Sequence, residues 1–265
     1  KFGSRGLVEL LRAAPMMMPE LLDEWFESKL LRGNLSAIGV KHLNQGPFSA
    51  ATVLNFLHQI IYSKGEIFRP LNIEGGNDAF IKTILDHASK NGVTIKLNTA
   101  IKRINCKNNT CKSVIDSGGK EYQGKYFISS IDLNNTFNKL IGSKYLPPNF
   151  KRQVNNIKYR GSSARIHFAL NELPKIPNVK DSEMEAILSI NPSINYLERA
   201  HDDIKYGNYS QNPHLTLAFP SIANPDLAPK GKSVMSATVQ HIPYKLKNED
   251  WNDHSINEIS QIIIN

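Results

Sequence analysis

The sequence predicts an α/β chain, α+β in its details, with helices set on one side of a mixed sheet. Three observations carry that expectation. After Gly75-Gly76, apolar residues recur at Phe80, Ile81, Ile84, Leu85 and Ala88, one face of a 3.6-residue period. Between Val93 and Asp132, short β segments follow one another, joined by Asn- and Gly-rich turns. Further on, SSARIHFAL alternates cleanly, with Ala164, Ile166, Phe168 and Leu170 on one face and Arg165 and His167 on the other. The 265 residues are 40% hydrophobic and 21% charged, which suits one large packed domain or two small ones.

Taken in order, residues 3–14 and 19–31 read as helices. The second has Pro19 at its start and Leu21, Leu22, Trp25, Phe26 and Leu30 on its apolar side. A third helix is expected over 49–62, burying Val53, Leu54, Leu57, Ile60 and Ile61. RPLNIEGGNDAF then leads into the helix that follows the glycines: Asn77 suits the N-cap, Lys90 falls in the last turn, and Gly92 suits a left-handed stop. VTIKL (93–97), AIKRINC (100–106), the segment CKNNTCKSVID and KYFISSID (125–132) are the β segments. A short helix is expected over 149–157. Residues 171–212 are rich in Pro and Asn and read as irregular. Strands over 214–220 and 232–241 flank the loop 221–231, and the chain ends within the apolar pattern QIIIN.

Two glycines at a helix mouth raise the question of a phosphate loop. No two glycines in the chain are separated by a single residue, so G-x-G-x-x-G is missing, and the Walker pattern is missing too. Asp78 in the first turn already complements the helix dipole. The stretch therefore reads as a glycine turn into an amphipathic helix rather than an independent anion loop.

The formal net charge is +8, yet Lys and Arg are scattered with no run of five, which argues against nucleic acid as a partner. No apolar run reaches the roughly 18–20 residues that a membrane-spanning helix needs. Cys106 and Cys111 flank KNNT at a hairpin tip and could face each other. A disulfide there is conceivable, but two free thiols in a reducing compartment are the commoner reading for so few cysteines. No C-x-x-C, H-E-x-x-H or G-x-S-x-G pattern points to a metal site or a serine hydrolase, and no metal is expected.

The order of pieces in GGNDAFIKTILDHASKNGVTIKLNTAIKRI and KYFISSID resembles one region of the flavin-dependent amine oxidase and phytoene desaturase superfamily. LLDEWFESKLLRGNLSAIGV, GPFSA, LPPNFKRQVNNIKYRGSSARIHFAL and PSIANPDLAPKGKSVMSATVQHIPYKL are similar to its phytoene desaturase-like branch, and the S-x-x-x-P-D-L-A-P-x-G stretch is the most distinctive of them. The likeness runs over nearly all of the chain, although Asn77 stands where many relatives carry Met. It implies an internal piece of a longer flavoprotein, without the N-terminal Rossmann glycine unit and the C-terminal segment that closes over the flavin. It also implies a division into 1–68, the helical part of a substrate domain; 69–135, part of an FAD/NAD(P)-binding domain; and 136–265, the mixed-sheet part of the substrate domain and the start of a following helix.

From the resemblance, FAD is the expected cofactor. Gly75 and Gly76 would line the cofactor region. Thr99, Ala100 and Ile101 match a segment whose backbone contacts the adenine end of the nucleotide, and Ser129 and Ser130 fall where relatives pass close to it. Arg165 and His167 on one strand face, and Gln240, His241 and Tyr244 at a strand end, are candidates for the substrate cavity; a plain solvent face or a satisfied strand end is the alternative for each. No catalytic acid or base stands out. The implied activity is hydride transfer from a C–C or C–N bond of a small apolar or amine-type substrate to flavin. Alternatives left open are isomerisation of a carotenoid- or retinoid-type substrate and an interaction protein that keeps the fold. Apolar substrates leave peripheral membrane contact open. The expected address is the cytoplasm in a bacterium and the mitochondrial matrix in a eukaryote.

Overall fold

The structure, a computed structural model, describes residues 3–63, 73–107 and 110–264. The chain divides into two units, one built from residues 1–82 and 160–265 and the other from 83–159. The expected boundary at 68/69 lies outside the described residues. The one expected at 135/136 does not coincide with a unit edge, because the helical segments up to residue 156 stay with the hairpin.

Helix α1 spans Gly3–Ala13, α2 Met18–Trp25, α3 Lys29–Gly39 and α4 Thr52–Tyr62. The single helix expected over 19–31 is thus two. Phe26 is extended (φ −134, ψ 136), and the Ser28 hydroxyl accepts from the Leu31 N–H at 3.3 Å, capping a new helix start. A serine that can satisfy an orphan amide favours a break over continuation. Met18, Leu22, Leu35, Ile38, Val53 and Phe56 form the core where these helices meet. Within α4, Phe56 packs inside while Leu54 and Ile61 are 51% and 77% exposed. The buried stripe is Val53, Phe56, Leu57 and Ile60, so three expected positions are kept and the face turns by roughly 50°, from Leu54 and Ile61 toward Phe56. Met18 anchors the junction: its N–H donates to the Thr52 hydroxyl at 3.0 Å.

Helix α5 spans Gly76–Lys90, as its period predicts, but buries none of its residues. β1 (Ile101–Lys107), β2 (Thr110–Asp116) and β3 (Glu121–Gln123) form an antiparallel sheet in that order. Cys106 stands opposite Cys111 as a free thiol pair, and burial, with Cys106 beside it, pushes the Cys111 thiol up. The tip residues between the two strands lie outside the described residues. The strands expected at 93–97 and 125–132 do not form, because neither segment finds a ladder partner among the described residues. Their apolar side chains face outward: Leu97 is 81% and Ile128 96% exposed. A π-helix over Asn134–Gly142 packs against β1, and α6 (Pro148–Asn156) meets it through Phe137 and Phe150, edge-on at 4.8 Å.

The first unit resumes with β4 (Ser163–Leu170), β5 (Leu188–Ile190), α7 (Ile194–Lys205), β6 (Leu215–Ala218), α8 (Pro220–Ala223), β7 (Ser233–Gln240) and α9 (Asp253–Ile264). The sheet runs β4-β7-β6-β5 with every ladder antiparallel; the parallel pairs of a mixed sheet are not among the described residues. Leu215, Val239, Ile242 and Ile259 form its core, with Ala164 and Ile166 of β4 packed on it from the expected face. The segment 171–212 is more ordered than expected. Ser193 caps α7, accepting from the Tyr196 N–H, and Leu197, Ala200 and Ile204 turn inward at helical spacing. No helix among the described residues is long and apolar enough to cross a membrane.

Candidate functional site

The glycine turn has φ +74 at Gly75 and +73 at Gly76, values that L side chains rarely adopt. The Gly76 N–H donates to the Ile73 carbonyl at 2.8 Å, closing the turn. A Cβ on Gly76 would lie 2.5 Å from Asn224 Nδ2. Asn224 belongs to the loop between β6 and β7, which Ser221 ties down: its hydroxyl meets that of Ser233 at 2.8 Å and accepts from the Val234 N–H at 3.0 Å. Two stretches about 150 residues apart in sequence thus meet, with the Asn224 amide standing where a Cβ on Gly76 would go. The N-terminus of α5, where amides lack intrahelical acceptors, opens at the same turn.

In the other unit, Thr99 closes on its own turn, its hydroxyl donating to the Leu97 carbonyl at 2.9 Å. The Ala100 carbonyl accepts from the Ser117 N–H at 2.8 Å, and Ile101 starts β1 opposite Asp116. The Ser129 hydroxyl meets that of Thr136 at 2.8 Å, while Ser130 is exposed. Gly75 and Gly76 lie in one unit and these five residues in the other, each group set by its own local turns.

The substrate-cavity candidates separate. Arg165 and His167 stand on the exposed face of β4, opposite Thr238 and Ser236 of β7. Tyr244 is exposed. Gln240 and His241 are interior. The Gln240 amide donates to the Val40 and Leu43 carbonyls at 3.1 and 3.2 Å, holding the loop after α3. His241 is 1% exposed with φ +64, and neither ring nitrogen has a partner. Its ring packs edge-on against His201 at 5.1 Å. Burial, reinforced by His201 and His214, pushes its pKa down to about 3. His214 is pushed down to about 4 by burial alone. This histidine interior was not legible in the sequence, because His201, His214 and His241 come from three separate elements. The signal available was the Ser193 cap and the helical spacing that follows it. An open cleft of about 650 Å³ lies along the outer side of α7, lined by Asn195, Arg199, Asp203, Gln211 and Asn212 among others, none of them a predicted site residue.

His167 offers a direct check. As an exposed strand residue, its change to Ala should alter stability by less than about 0.5 kcal/mol, read from the urea midpoint; a larger loss would show that His167 is held by contacts its exposure does not reveal.

Pyridine nucleotide-disulfide oxidoreductase domain-containing protein 2 of Rattus norvegicus is 26% identical over 249 residues, covering 90% of this chain and 43% of the relative. The Mus musculus protein of the same name is 25% identical over the same shares. The chain therefore spans under half the length of these curated relatives. Two solved structures share the fold. One is a protein from Pyrococcus furiosus (TM-score 0.60, 19% identity, 94% of this chain and 54% of that one). The other is an oxidoreductase from Methanosarcina mazei (TM-score 0.60, 14% identity, 97% and 53%). The profile described as flavin containing amine oxidoreductase matches residues 23–261, nearly the whole chain, and the chain belongs to that family.

Proposed function

We propose that the whole protein is an FAD-dependent oxidoreductase of the phytoene desaturase-like type, taking a hydride from a C–C or C–N bond of an apolar or amine-type substrate. The observation that carries this reading is the close packing of the Gly75-Gly76 turn on Asn224. It makes one wall from two stretches that the family resemblance singled out separately. Family membership supports a flavin cofactor.

The residues present fit such a group in their chemistry. The turn carries no side chain, and the space a Cβ would take at Gly76 is held by the Asn224 amide, a group that can itself face a ligand. The start of α5 and the Asn224 amide offer neutral donors suited to a nucleotide's polar edge. By the resemblance, Gly75 and Gly76 line the cofactor region of one unit; in the other, Thr99, Ala100 and Ile101 match the segment whose backbone contacts the adenine end, and Ser129 and Ser130 the stretch that passes near it. When bound, the flavin supplies the hydride-accepting centre. The chain's own part is to orient the reacting C–H bond; the proton that leaves with the hydride, from the neighbouring carbon or nitrogen, passes to a base or to water.

The exposed apolar surface supports the view that further protein packs on α5 and on the extended segments 93–97 and 125–132. Phe80, Ile81, Ile84 and Leu85 of α5 are between 41% and 52% exposed along one helix face. Val93, Ile95, Leu97 and Ile128 stand out in segments that lack ladder partners. Surface of this kind is covered in a stable protein.

The test is made on the full-length protein, which should purify yellow. Gly76→Val places a β-branched residue at φ +73 and a carbon against Asn224, and should weaken FAD at least tenfold, about 1.4 kcal/mol. Thermal unfolding of the same variant separates lost binding from lost fold. A colourless full-length protein, or a folded Gly76→Val protein with unchanged flavin content, would sink the reading.

A further inference from the structure

Helix α7 carries Glu198, His201 and Asp202 at positions i, i+3 and i+4, which places all three on one face. One ligand atom from each lies within 4.8 Å of the others. Three features distinguish this group from an ordinary solvated face.

The first is an orphaned nitrogen. His201 is 5% exposed, and its Nδ1 is buried with no hydrogen-bond partner. It sits 3.9 Å from Glu198 Oε1. That gap is too long for a hydrogen bond. An ion about 2.1 Å from each tetrahedral ligand holds its partners roughly 3.4 Å apart, so a shift of about half an ångström would bridge them. The second feature is how the ring is held: it packs edge-on against His241 at 5.1 Å, which sets its plane.

The third is the turn above the group. Gly46 lies so close that an added Cβ would collide with Glu198 Oε2 and come within 2.7 Å of His201 Nδ1. The Phe48 N–H donates to Glu198 Oε2 at 3.2 Å, fixing the carboxylate. One cation already sits on this face. The Lys205 ammonium donates to Glu198 Oε1 at 3.3 Å and to Asp202 Oδ1 at 2.7 Å, so the two carboxylates converge on a single positive charge.

The geometry points to a binding site for one divalent transition-metal ion of the zinc class, formed by Glu198, His201 and Asp202 beneath the Gly46 turn, with Lys205 as its competitor. One imidazole and two carboxylates form a donor set that such an ion accepts with a position to spare for water. The inference is independent of the flavin reading, since none of these residues is assigned to the cofactor.

The test titrates Zn(II), and Co(II) as a visible-absorption probe, into full-length protein stripped with chelator at neutral pH. Wild type should bind one more equivalent than the Glu198→Gln, Asp202→Asn double variant, whose changed groups are partly exposed and nearly isosteric. Lys205→Gln should tighten that equivalent about tenfold, because the resident cation is gone. A purely structural role for the lysine predicts no gain. Equal uptake by wild type and double variant, or unchanged affinity in Lys205→Gln, would overturn the site.

Discussion

Acidification from about pH 7 to about pH 5 should cost the unit that carries His214 about 2 kcal/mol of unfolding free energy through that residue alone. His214 is 4% exposed. Its Nε2 meets the Ser189 hydroxyl at 3.3 Å, and its Nδ1 has no partner. Burial holds its folded pKa at about 4, against 6.5 for the free group. Between those values the unfolded chain binds a proton that the folded chain refuses, so stability rises with pH across the window. The contribution is present above about 6.5, shrinks as pH falls and is gone by about 4. His241 is the titratable group facing it, and His42, His201 and His241 are displaced in the same direction, so their losses add to its own. Both tryptophans, Trp25 and Trp251, lie in this unit, so urea unfolding followed by their fluorescence reads it directly. His214→Leu removes the titrating ring and should flatten the dependence by about that 2 kcal/mol. Identical pH profiles for variant and wild type would show that burial of His214 carries no such linkage.

The second large effect is in the helical core. Leu22→Ala should destabilise by about 2–5 kcal/mol, because Leu22 is 1% exposed and is enclosed by Met18, Leu35, Ile38, Val53 and Phe56. Three helices meet there, and none can collapse into the gap without moving the others. Leu22→Met keeps the volume and should cost less than about 1.5 kcal/mol. The urea midpoint at unchanged slope is the measurement. A Leu22→Ala loss below about 1 kcal/mol would mean that the helices repack freely around this position.

Local signals carried a good part of the fold into view. The period of α5, the alternation of β4 and the facing of Cys106 and Cys111 each depend on neighbours a few residues away. Two misread features are instructive. The break between α2 and α3 rests on Ser28, a cap that the apolar pattern over 19–31 runs straight through. The buried face of α4 differs from the expected one at Leu54, Phe56 and Ile61, which are all apolar, and only the packing against Met18 and Leu22 chooses between them.

The candidate site divides along the same line. The glycines at 75 and 76 announced a turn needing positive φ, and the loop 221–231 announced itself by its pattern. That Asn224 fills the space above Gly76 is a contact across about 150 residues, which no spacing rule contains. The segments 93–97 and 125–132 alternate like strands and remain without ladders, since a strand's hydrogen bonds belong to a partner and not to its own sequence.

What the sequence by itself determined is therefore the element types with strong periodicity, the turns that demand glycine and, through its motifs, the family. Only the tertiary structure decided which faces are buried, which extended segments pair, and that His201, His214 and His241 share one interior with Glu198 at its edge. The physical reason is range. Backbone preference and capping act within a turn or two, whereas burial, desolvation and the orphaning of a ring nitrogen are set by whatever distant chain is packed on top.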